Sequence, residues 1–221
     1  MTAERYLEIR NCQKSFVYEI ADTDNSGRKG ILRAAKQLGF LENETIVFED
    51  EEESNVLMDY MLYEKNGRSN RLVDRFLKQN DEPLDDLRKL ILNGMINNYY
   101  SVFEIKQIDV DQSNVILFDL ISKKEYILMD FGFSSTASLG TLLATRIIPC
   151  EDVFVTSGLS FAFNSHHRLR ILTTISRQKD KHRRPASKKS KSNKSNSKTM
   201  FEIMFNLHKQ YGLYITTQAF S

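Results

Sequence analysis

The sequence predicts an α+β protein in which an N-terminal helical region packs on a small antiparallel, barrel-like sheet, and a C-terminal helix and strand complete the fold. Two observations support this prediction. Up to residue 98, apolar residues recur at helical spacing between charged ones. From Tyr99 onward, Val, Ile, Phe and Tyr dominate short runs that turn residues separate, which is typical of antiparallel strands. A chain of 221 residues is long enough to bury a core of this kind.

Five helices are expected in the N-terminal region. They are centred on residues 2–20, 28–38, 56–63, 72–77 and 84–95. Gly39 marks the end of the second helix, because glycine is the usual residue just after a helix C-terminus. Pro83 is expected in the first turn of the fifth, which would start after Asp81. The run 45–48 is short and β-branched, and the acidic cluster 49–53 precedes the third helix, where negative charge complements the helix dipole.

The β-rich region is predicted to begin with a three-stranded meander. Its strands cover residues 99–110, 115–121 and 125–131. Two more strands, at 142–148 and 153–156, would be separated by Pro149. Five short strands at this spacing suggest a curled sheet or barrel. A helix over 164–177 is expected to follow.

The net charge of +2 hides an asymmetry along the chain. Residues 1–176 carry 20 basic and 27 acidic residues, whereas residues 177–198 carry ten basic and one acidic. The second segment has almost no apolar side chains, so it cannot bury enough surface to offset its ordering entropy. We therefore expect four parts: a helical region (1–98), a β-rich module with its following helix (99–176), a disordered basic linker (177–198) and a C-terminal helix-strand segment (199–221). Thr199 and Glu202 fit a capping box at the start of the last helix. Residues 214–217 are predicted to form a final strand.

The basic linker is the candidate nucleic-acid site. Its cations would be Lys179, Lys181, Arg183, Arg184, Lys188, Lys189, Lys191, Lys194 and Lys198. Contacts of these side chains with phosphates would release counterions and give salt-dependent binding without sequence preference. The segment has no aromatic residue for base stacking. The segment could equally well bind an acidic protein or an anionic membrane surface. Alternatively, it is a solvated loop that binds nothing. The net charge of −7 on residues 1–176 argues against a broad nucleic-acid face.

Metal and cofactor sites are not expected. The pattern from Asp22 to Gly27 resembles the first half of a calcium loop, but Arg33 occupies the position of its bidentate glutamate. A turn that caps the next helix is the better interpretation. His166 and His167 are adjacent, so on a helix they could not easily share one metal.

Catalytic motifs are also lacking. The sequence has no P-loop, no GxGxxG, no HExxH and no GxSxG elbow. The two cysteines, Cys12 and Cys150, cannot form a disulfide framework and lack zinc-site spacing. Unpaired cysteines agree with a reducing compartment. The sequence MTAERYLEIR has no apolar run of signal-peptide length, and no segment is apolar enough to span a membrane. We therefore expect a cytoplasmic protein with no catalytic residue, no metal and no cofactor.

Several segments between residues 40 and 160 resemble a group of uncharacterised bacterial proteins. The matching segments are VLMDY (56–60), RFL (75–77), SVFEI (101–105), FDL (118–120), the serine-containing 134–138 and ATRIIP (144–149). In that group a helical region precedes a β-rich module, and many members are associated with a cysteine-rich SEC-C motif. The SEC-C cysteines are absent here, so no zinc role carries over. The resemblance implies no established activity; it implies a strand–turn–strand module with Arg146 on a strand.

Three hypotheses about function follow. The first is a non-enzymatic interaction or regulatory protein whose folded body binds another protein. The second is a nucleic-acid-associated protein that uses residues 177–198. The third is a hydrolase whose active site matches no motif, and it would need a deep polar pocket with convergent ionisable groups. An open sheet edge or an apolar groove would favour the first.

Overall fold

The computed structural model describes residues 1–23, 27–65, 70–80, 82–183 and 199–213. The chain divides into two compact units. Unit 1 consists of Met1–Tyr99 and Arg146–Leu159, and unit 2 of Tyr100–Thr145 and Ser160–Ser221. Because residues 146–159 belong to unit 1, the helical N-terminal region forms a compact unit together with parts of two strands from much later in the chain.

Unit 1 contains the five predicted helices. They are α1 (Ala3–Asp22), α2 (Gly27–Leu38), α3 (Glu52–Tyr63), α4 (Leu72–Gln79) and α5 (Asp86–Ile96). Helix α1 packs on α4 and α5, while α3 packs on α2 and α4. At the centre of these contacts the buried rings of Phe16 and Phe76 meet edge to face, with centroids 5.4 Å apart. This geometry is favourable for aromatic pairs, and it ties α1 to α4.

Local capping chemistry sets the ends of these helices. The Thr2 side chain accepts a hydrogen bond from the backbone N–H of Arg5 at the start of α1. Gly39 has a φ of +87°, the left-handed conformation that glycine supplies after a helix, as predicted. The prediction for α5 was wrong by one turn: the helix starts at Asp86 because the Asp85 carboxylate caps it, and Pro83 lies before the helix.

A small hairpin links α2 to α3. Its strands are β1 (Leu41–Glu42) and β2 (Thr45–Ile46), which pair antiparallel. The two loop residues, Asn43 and Glu44, have φ angles of 46° and 64°. Two consecutive positive φ angles are the signature of a type I′ turn, which matches the twist of paired strands. Of this element only the β-branched residues of β2 were anticipated from the sequence.

The main sheet has six strands. They are β3 (Tyr99–Asp109), β4 (Asn114–Asp119), β5 (Glu125–Met129), β6 (Leu142–Cys150), β7 (Val153–Phe163) and β8 (Gly212–Leu213). Their order is β5-β4-β3-β6-β7-β8, and β5 also pairs with β7, which closes five strands into a barrel. The predicted meander is confirmed, since β3 pairs antiparallel with β4, and β4 with β5. The α+β class with a barrel-like sheet is confirmed as well.

Three details of the β-rich region differ from the prediction. Pro149 lies inside β6 rather than between two strands. Proline is tolerated near strand ends, where its missing N–H need not interrupt the ladder. Strand β7 continues to Phe163, well past the predicted 153–156. A short helix, α6 (Phe131–Thr136), begins at the last residue of the predicted third strand (125–131) and covers part of the serine-containing segment 134–138, because the Asp130 carboxylate caps it by accepting from the N–H of Phe133.

Unit 2 ends in a helical hairpin. A 3₁₀ turn (Ser165–His167) leads into α7 (Arg168–Arg183), which packs on α8 (Met200–Tyr211). The Thr199 side chain accepts from the N–H of Glu202, as the predicted N-cap requires. Helix α7 continues through residues 177–183, which the prediction placed in a disordered linker. Arg, Gln and Lys are good helix formers, and extending an existing helix costs little. Residues 184–198 and the strand predicted at 214–217 lie outside the described residues.

Within the described ranges, no helix is long and apolar enough to cross a membrane.

Candidate functional site

Unit 1 buries a charged cluster around Arg146, which β6 places on the side of α3. Arg146 is 2% exposed. Its Nη2 lies 3.2 Å from Asp59 Oδ1 and 2.9 Å from Glu64 Oε1, and its Nη1 donates to Asn98 Oδ1 at 2.6 Å. We call these four residues the Arg146 cluster. A buried charge is costly unless it is paired and hydrogen-bonded, and here two carboxylates and an amide meet that requirement.

The cluster keeps its arginine charged. Burial lowers the pKa of the Arg146 guanidinium, but the attraction of Asp59 and Glu64 outweighs burial and holds that pKa above its ordinary value. The guanidinium carbon also lies 4.4 Å from the centre of the Tyr63 ring, a cation–π contact. Asp59 and Tyr63 are four residues apart on α3, so helical geometry places both side chains on the same face.

Tyr63 differs from the cluster because its polar atom has no partner. The side chain is 4% exposed, and its hydroxyl hydrogen-bonds to none of the residues that the structure describes. Burial raises the pKa of this hydroxyl, and the neighbouring Asp59 carboxylate raises it further. The hydroxyl is therefore a permanent donor at neutral pH, and a buried donor without an acceptor is costly.

Tyr63 belongs to the wall of a cleft in unit 1, which we call the polar cleft. The cleft has a volume of about 490 Å³ and is lined by residues from the ranges 10–18 of α1, 54–63 of α3 and 157–159 of β7. This volume falls in the range of small-molecule sites. A second wall residue, Ser157, also has a buried hydroxyl with no hydrogen-bond partner in the described part of the chain. Two residues of the cleft wall, Tyr63 and Ser157, thus carry a buried hydroxyl without a partner among the described residues.

The α1 side of the polar cleft is held by hydrogen bonds to β7. Arg10 Nη1 donates to the Thr156 carbonyl at 2.7 Å and to Gln13 Oε1 at 2.9 Å. The buried Gln13 Nε2 donates to the same carbonyl at 3.3 Å. Gly158, two residues after Thr156, has a φ of +104°, a conformation that only glycine adopts without strain. These contacts give the cleft a fixed wall before any ligand arrives.

A second depression, the acidic groove, lies at the start of α3. It is lined by Phe48, Asp50, Glu51, Ser54 and Asn55. Residues 40–64 contain nine acidic residues and no Lys or Arg, so much of the negative charge of residues 1–176 is concentrated here. Val47 and Phe48 are 42% and 38% exposed beside these carboxylates. The surface therefore combines apolar area with strong negative charge.

The acidic groove is rigid at both ends. The Phe48 ring packs edge to face on the buried Phe40, with centroids 5.4 Å apart. At the helix start, Asp50 Oδ1 accepts from the N–H of Glu53, and Glu53 Oε2 accepts from the N–H of Glu49. These two hydrogen bonds order the segment that leads into the first turn of α3.

Unit 2 carries a basic depression between its last two helices, the α7–α8 groove. It is lined by Leu169, Arg170, Thr173, Thr174, Arg177, Leu207, Gln210 and Tyr211. The Arg170 guanidinium carbon lies 4.4 Å from the centre of the Tyr211 ring, and the His167 ring lies 5.2 Å from it. Leu169 is 79% exposed. Cationic and aromatic groups are therefore neighbours here.

The predicted nucleic-acid residues fall mostly outside the described part of the chain. Lys179, Lys181 and Arg183 belong to the last turns of α7. Arg184, Lys188, Lys189, Lys191, Lys194 and Lys198 lie in residues 184–198, outside the described ranges. Arg170 and Arg177, which precede the segment and line the α7–α8 groove, were not among the predicted residues.

Neither the Arg146 cluster nor the polar cleft was predicted from the sequence. The resemblance placed Arg146 on a strand, and the structure confirms that placement. A lone arginine in an apolar strand was the available signal, but its carboxylate partners are 82 and 87 residues away. The described residues include no group of three His, Cys, Asp or Glu side chains that could hold a metal ion. The third hypothesis, a hydrolase, stays a hypothesis.

A model for a family of unknown function, DUF7986, matches residues 1–218. No curated protein and no solved structure matches the chain.

Proposed function

The chain belongs to the family of unknown function DUF7986, and from its geometry we propose that it is a non-enzymatic interaction or regulatory protein that binds another protein. One observation carries the proposal. The acidic groove places the exposed, ring-packed Phe48 beside Asp50 and Glu51, in a segment that lacks any cation. Rigid aromatic side chains at the centre of a surface are frequent anchors of protein interfaces. The partner segment is therefore basic and partly apolar, because its charge must complement the carboxylates.

Selection from a displayed peptide library tests this proposal. We expect enrichment of peptides that combine Lys or Arg with aromatic or branched apolar residues. Their affinity should fall about tenfold or more for Phe48→Ser, since loss of an anchor typically costs more than a factor of ten. The double variant Glu51→Lys, Glu52→Lys should weaken binding and its dependence on salt.

A matched control separates groove binding from general charge attraction. Glu82→Lys with Asp86→Lys changes the charge by the same amount at the start of another helix, α5, where both residues are exposed. Selected peptides should bind this control like the wild type. Equal losses in the two double variants, or selected peptides without basic residues, would exclude the acidic groove as the partner site.

A second candidate function is nucleic-acid binding, and the α7–α8 groove favours it. Arg170, Arg177 and Tyr211 supply cationic and stacking groups, and the basic linker (177–198) begins within α7. Phosphate contacts would come from that segment, and bases could stack on Tyr211.

Fluorescence anisotropy with a labelled single-stranded RNA, over about 50 to 200 mM KCl, tests this candidate. Replacing Lys188, Lys189 and Lys191 with Gln should make the affinity less dependent on salt. The slope of log affinity against log salt concentration should become shallower by roughly 0.7 per lost phosphate contact. Arg170→Gln should lower the affinity as well. An unchanged slope in the lysine variant would rule out the basic segment as the binding element.

Two narrower predictions, a relation to SEC-C-associated proteins and a cytoplasmic location, remain proposals. A closer relation to proteins associated with SEC-C motifs is supported by the position of Arg146 on β6. A cytoplasmic location is supported by the two free cysteines, Cys12 and Cys150. Burial raises the pKa of the Cys150 thiol to about 11, so this group stays protonated.

A further inference from the structure

The polar cleft is built like a binding site. Its wall includes two buried hydroxyls, on Tyr63 and Ser157, that have no hydrogen-bond partner among the described residues. Buried polar groups in folded proteins are almost always paired, so each exception needs an explanation. The nearby Arg146 cluster shows that this unit can satisfy even a buried charge. A ligand that accepts hydrogen bonds would explain why the two hydroxyls have been left unpaired.

The charges around the polar cleft favour an anion. Arg10 and Lys14 line it from α1. The carboxylate in the wall, Asp59, is already bound to Arg146 through its Oδ1. The negative charge of Asp59 raises the pKa of the Tyr63 hydroxyl. The positive charges of Arg146, Arg10 and Arg71 lower it. A ligand in the cleft would therefore meet the cations Arg10 and Lys14 of its wall.

The rest of the wall is apolar. Val17, Met58, Leu62 and Leu159 contribute to it, together with the half-exposed ring of Tyr18. Pockets of this composition bind molecules that have an apolar body and a few polar groups, which fix the orientation.

We propose that the polar cleft binds a small carboxylate with an apolar body. The carboxylate accepts hydrogen bonds from Tyr63 and Ser157 and is attracted by Arg10 and Lys14, while the apolar body packs against Met58, Leu62 and Leu159. A carboxylate fits because it only accepts hydrogen bonds, and the Tyr63 hydroxyl keeps an O–H to donate at neutral pH. A serine hydroxyl reaches a neighbouring acceptor by rotation about one bond, so Ser157 can complete the contact. The proposal does not depend on the acidic groove.

Isothermal titration calorimetry on the full chain tests the proposal, with hexanoate and phenylacetate as probes. The matched uncharged probes are hexan-1-ol and phenylacetamide. We expect both acids to bind at least tenfold more tightly than their uncharged counterparts, because hydrogen bonds to a charged acceptor are the stronger ones. Tyr63→Phe removes the hydroxyl and keeps the ring on Arg146, and it should weaken binding of both acids roughly tenfold. Lys14→Gln should weaken them about two- to threefold and reduce the salt dependence.

Tyr100→Phe is the matched control, because Tyr100 belongs to unit 2 and does not line the polar cleft. It should leave the affinity for the acids unchanged. The proposal fails if neither acid binds, if acids and uncharged probes bind equally, or if Tyr63→Phe binds hexanoate as the wild type does. Failure of these titrations would leave the peptide selection at the acidic groove unaffected, since Phe48 and Glu51 do not line the cleft.

Discussion

The Arg146 cluster and the polar cleft are neighbours in unit 1, but they differ in whether their buried polar groups have hydrogen-bond partners. In the cluster, Arg146 is bound by Asp59, Glu64 and Asn98. In the cleft wall, the hydroxyls of Tyr63 and Ser157 are buried without a partner in the described structure. Tyr63 takes part in both, because its ring contacts the Arg146 guanidinium and the residue lines the cleft. Satisfied polar groups stabilise the fold, whereas unsatisfied ones lower its stability and remain available to a ligand.

Breaking the cluster gives the largest expected effect. Arg146→Met keeps most of the side-chain volume but removes the cation that Asp59 and Glu64 share, so the buried Asp59 carboxylate loses its charge partner. We expect the free energy of unfolding to fall by about 3–5 kcal/mol, measured by urea denaturation. Adding Asp59→Leu to Arg146→Met should recover part of this loss, because it removes one of the unpaired charges.

A smaller loss in the single variant, below about 1 kcal/mol, would contradict the assignment of the cluster as a stabilising, fully paired site. Equal stability of the single and double variants would likewise show that the penalty does not come from the carboxylate at residue 59.

The contrast between the two regions also explains what the sequence could predict. Helix ends depend on neighbouring residues, so Gly39 and Thr199 could be recognised from local patterns. The hairpin turn was missed because Glu44 takes a positive φ angle where glycine is the usual residue. The end of α7 was missed because composition favoured disorder, whereas the residues continue an existing helix.

The candidate sites depend on residues that are far apart in sequence. Arg146 meets Glu64 across 82 residues and Asp59 across 87. The cleft wall joins residues near 10, 60 and 158. No periodicity or motif encodes such a meeting, since it follows from how β6 and β7 approach α1 and α3 within unit 1. Of the predicted binding residues, those beyond 183 lie outside the described ranges.

A change of opposite sign is expected on the other side of the comparison. Tyr63→Phe removes a buried hydroxyl that has no partner in the described structure and leaves the ring contact with Arg146 in place. Without ligand, the free energy of unfolding should rise by up to about 1 kcal/mol, because an unsatisfied donor no longer has to be desolvated. The same urea denaturation measures it. A loss of more than about 1 kcal/mol would mean that the hydroxyl has a partner in the folded protein.

The smallest effect is expected where an arginine–carboxylate pair is partly exposed. Arg71 binds Asp74 with two hydrogen bonds, of 2.6 and 2.8 Å, but both side chains are more than a fifth exposed. The hydrogen bonds from Arg71 lower the pKa of the Asp74 carboxyl below its ordinary value of 3.8. A lowered pKa in the folded state means that the pair stabilises the protein above the unfolded pKa, and that this contribution is lost as the pH falls through the folded one.

Comparing the wild type with Asp74→Asn by urea denaturation isolates this pair. The wild type should be more stable by less than about 1 kcal/mol near pH 6, since solvent screens the pair. The difference should shrink as the pH falls below 3.8 and through the lowered pKa of the folded state. A difference that stays constant over this range would assign the effect to packing rather than charge. Together with Arg146→Met, the result would show how far burial, rather than the identity of the ion pair, sets the energy of an arginine–carboxylate contact in unit 1.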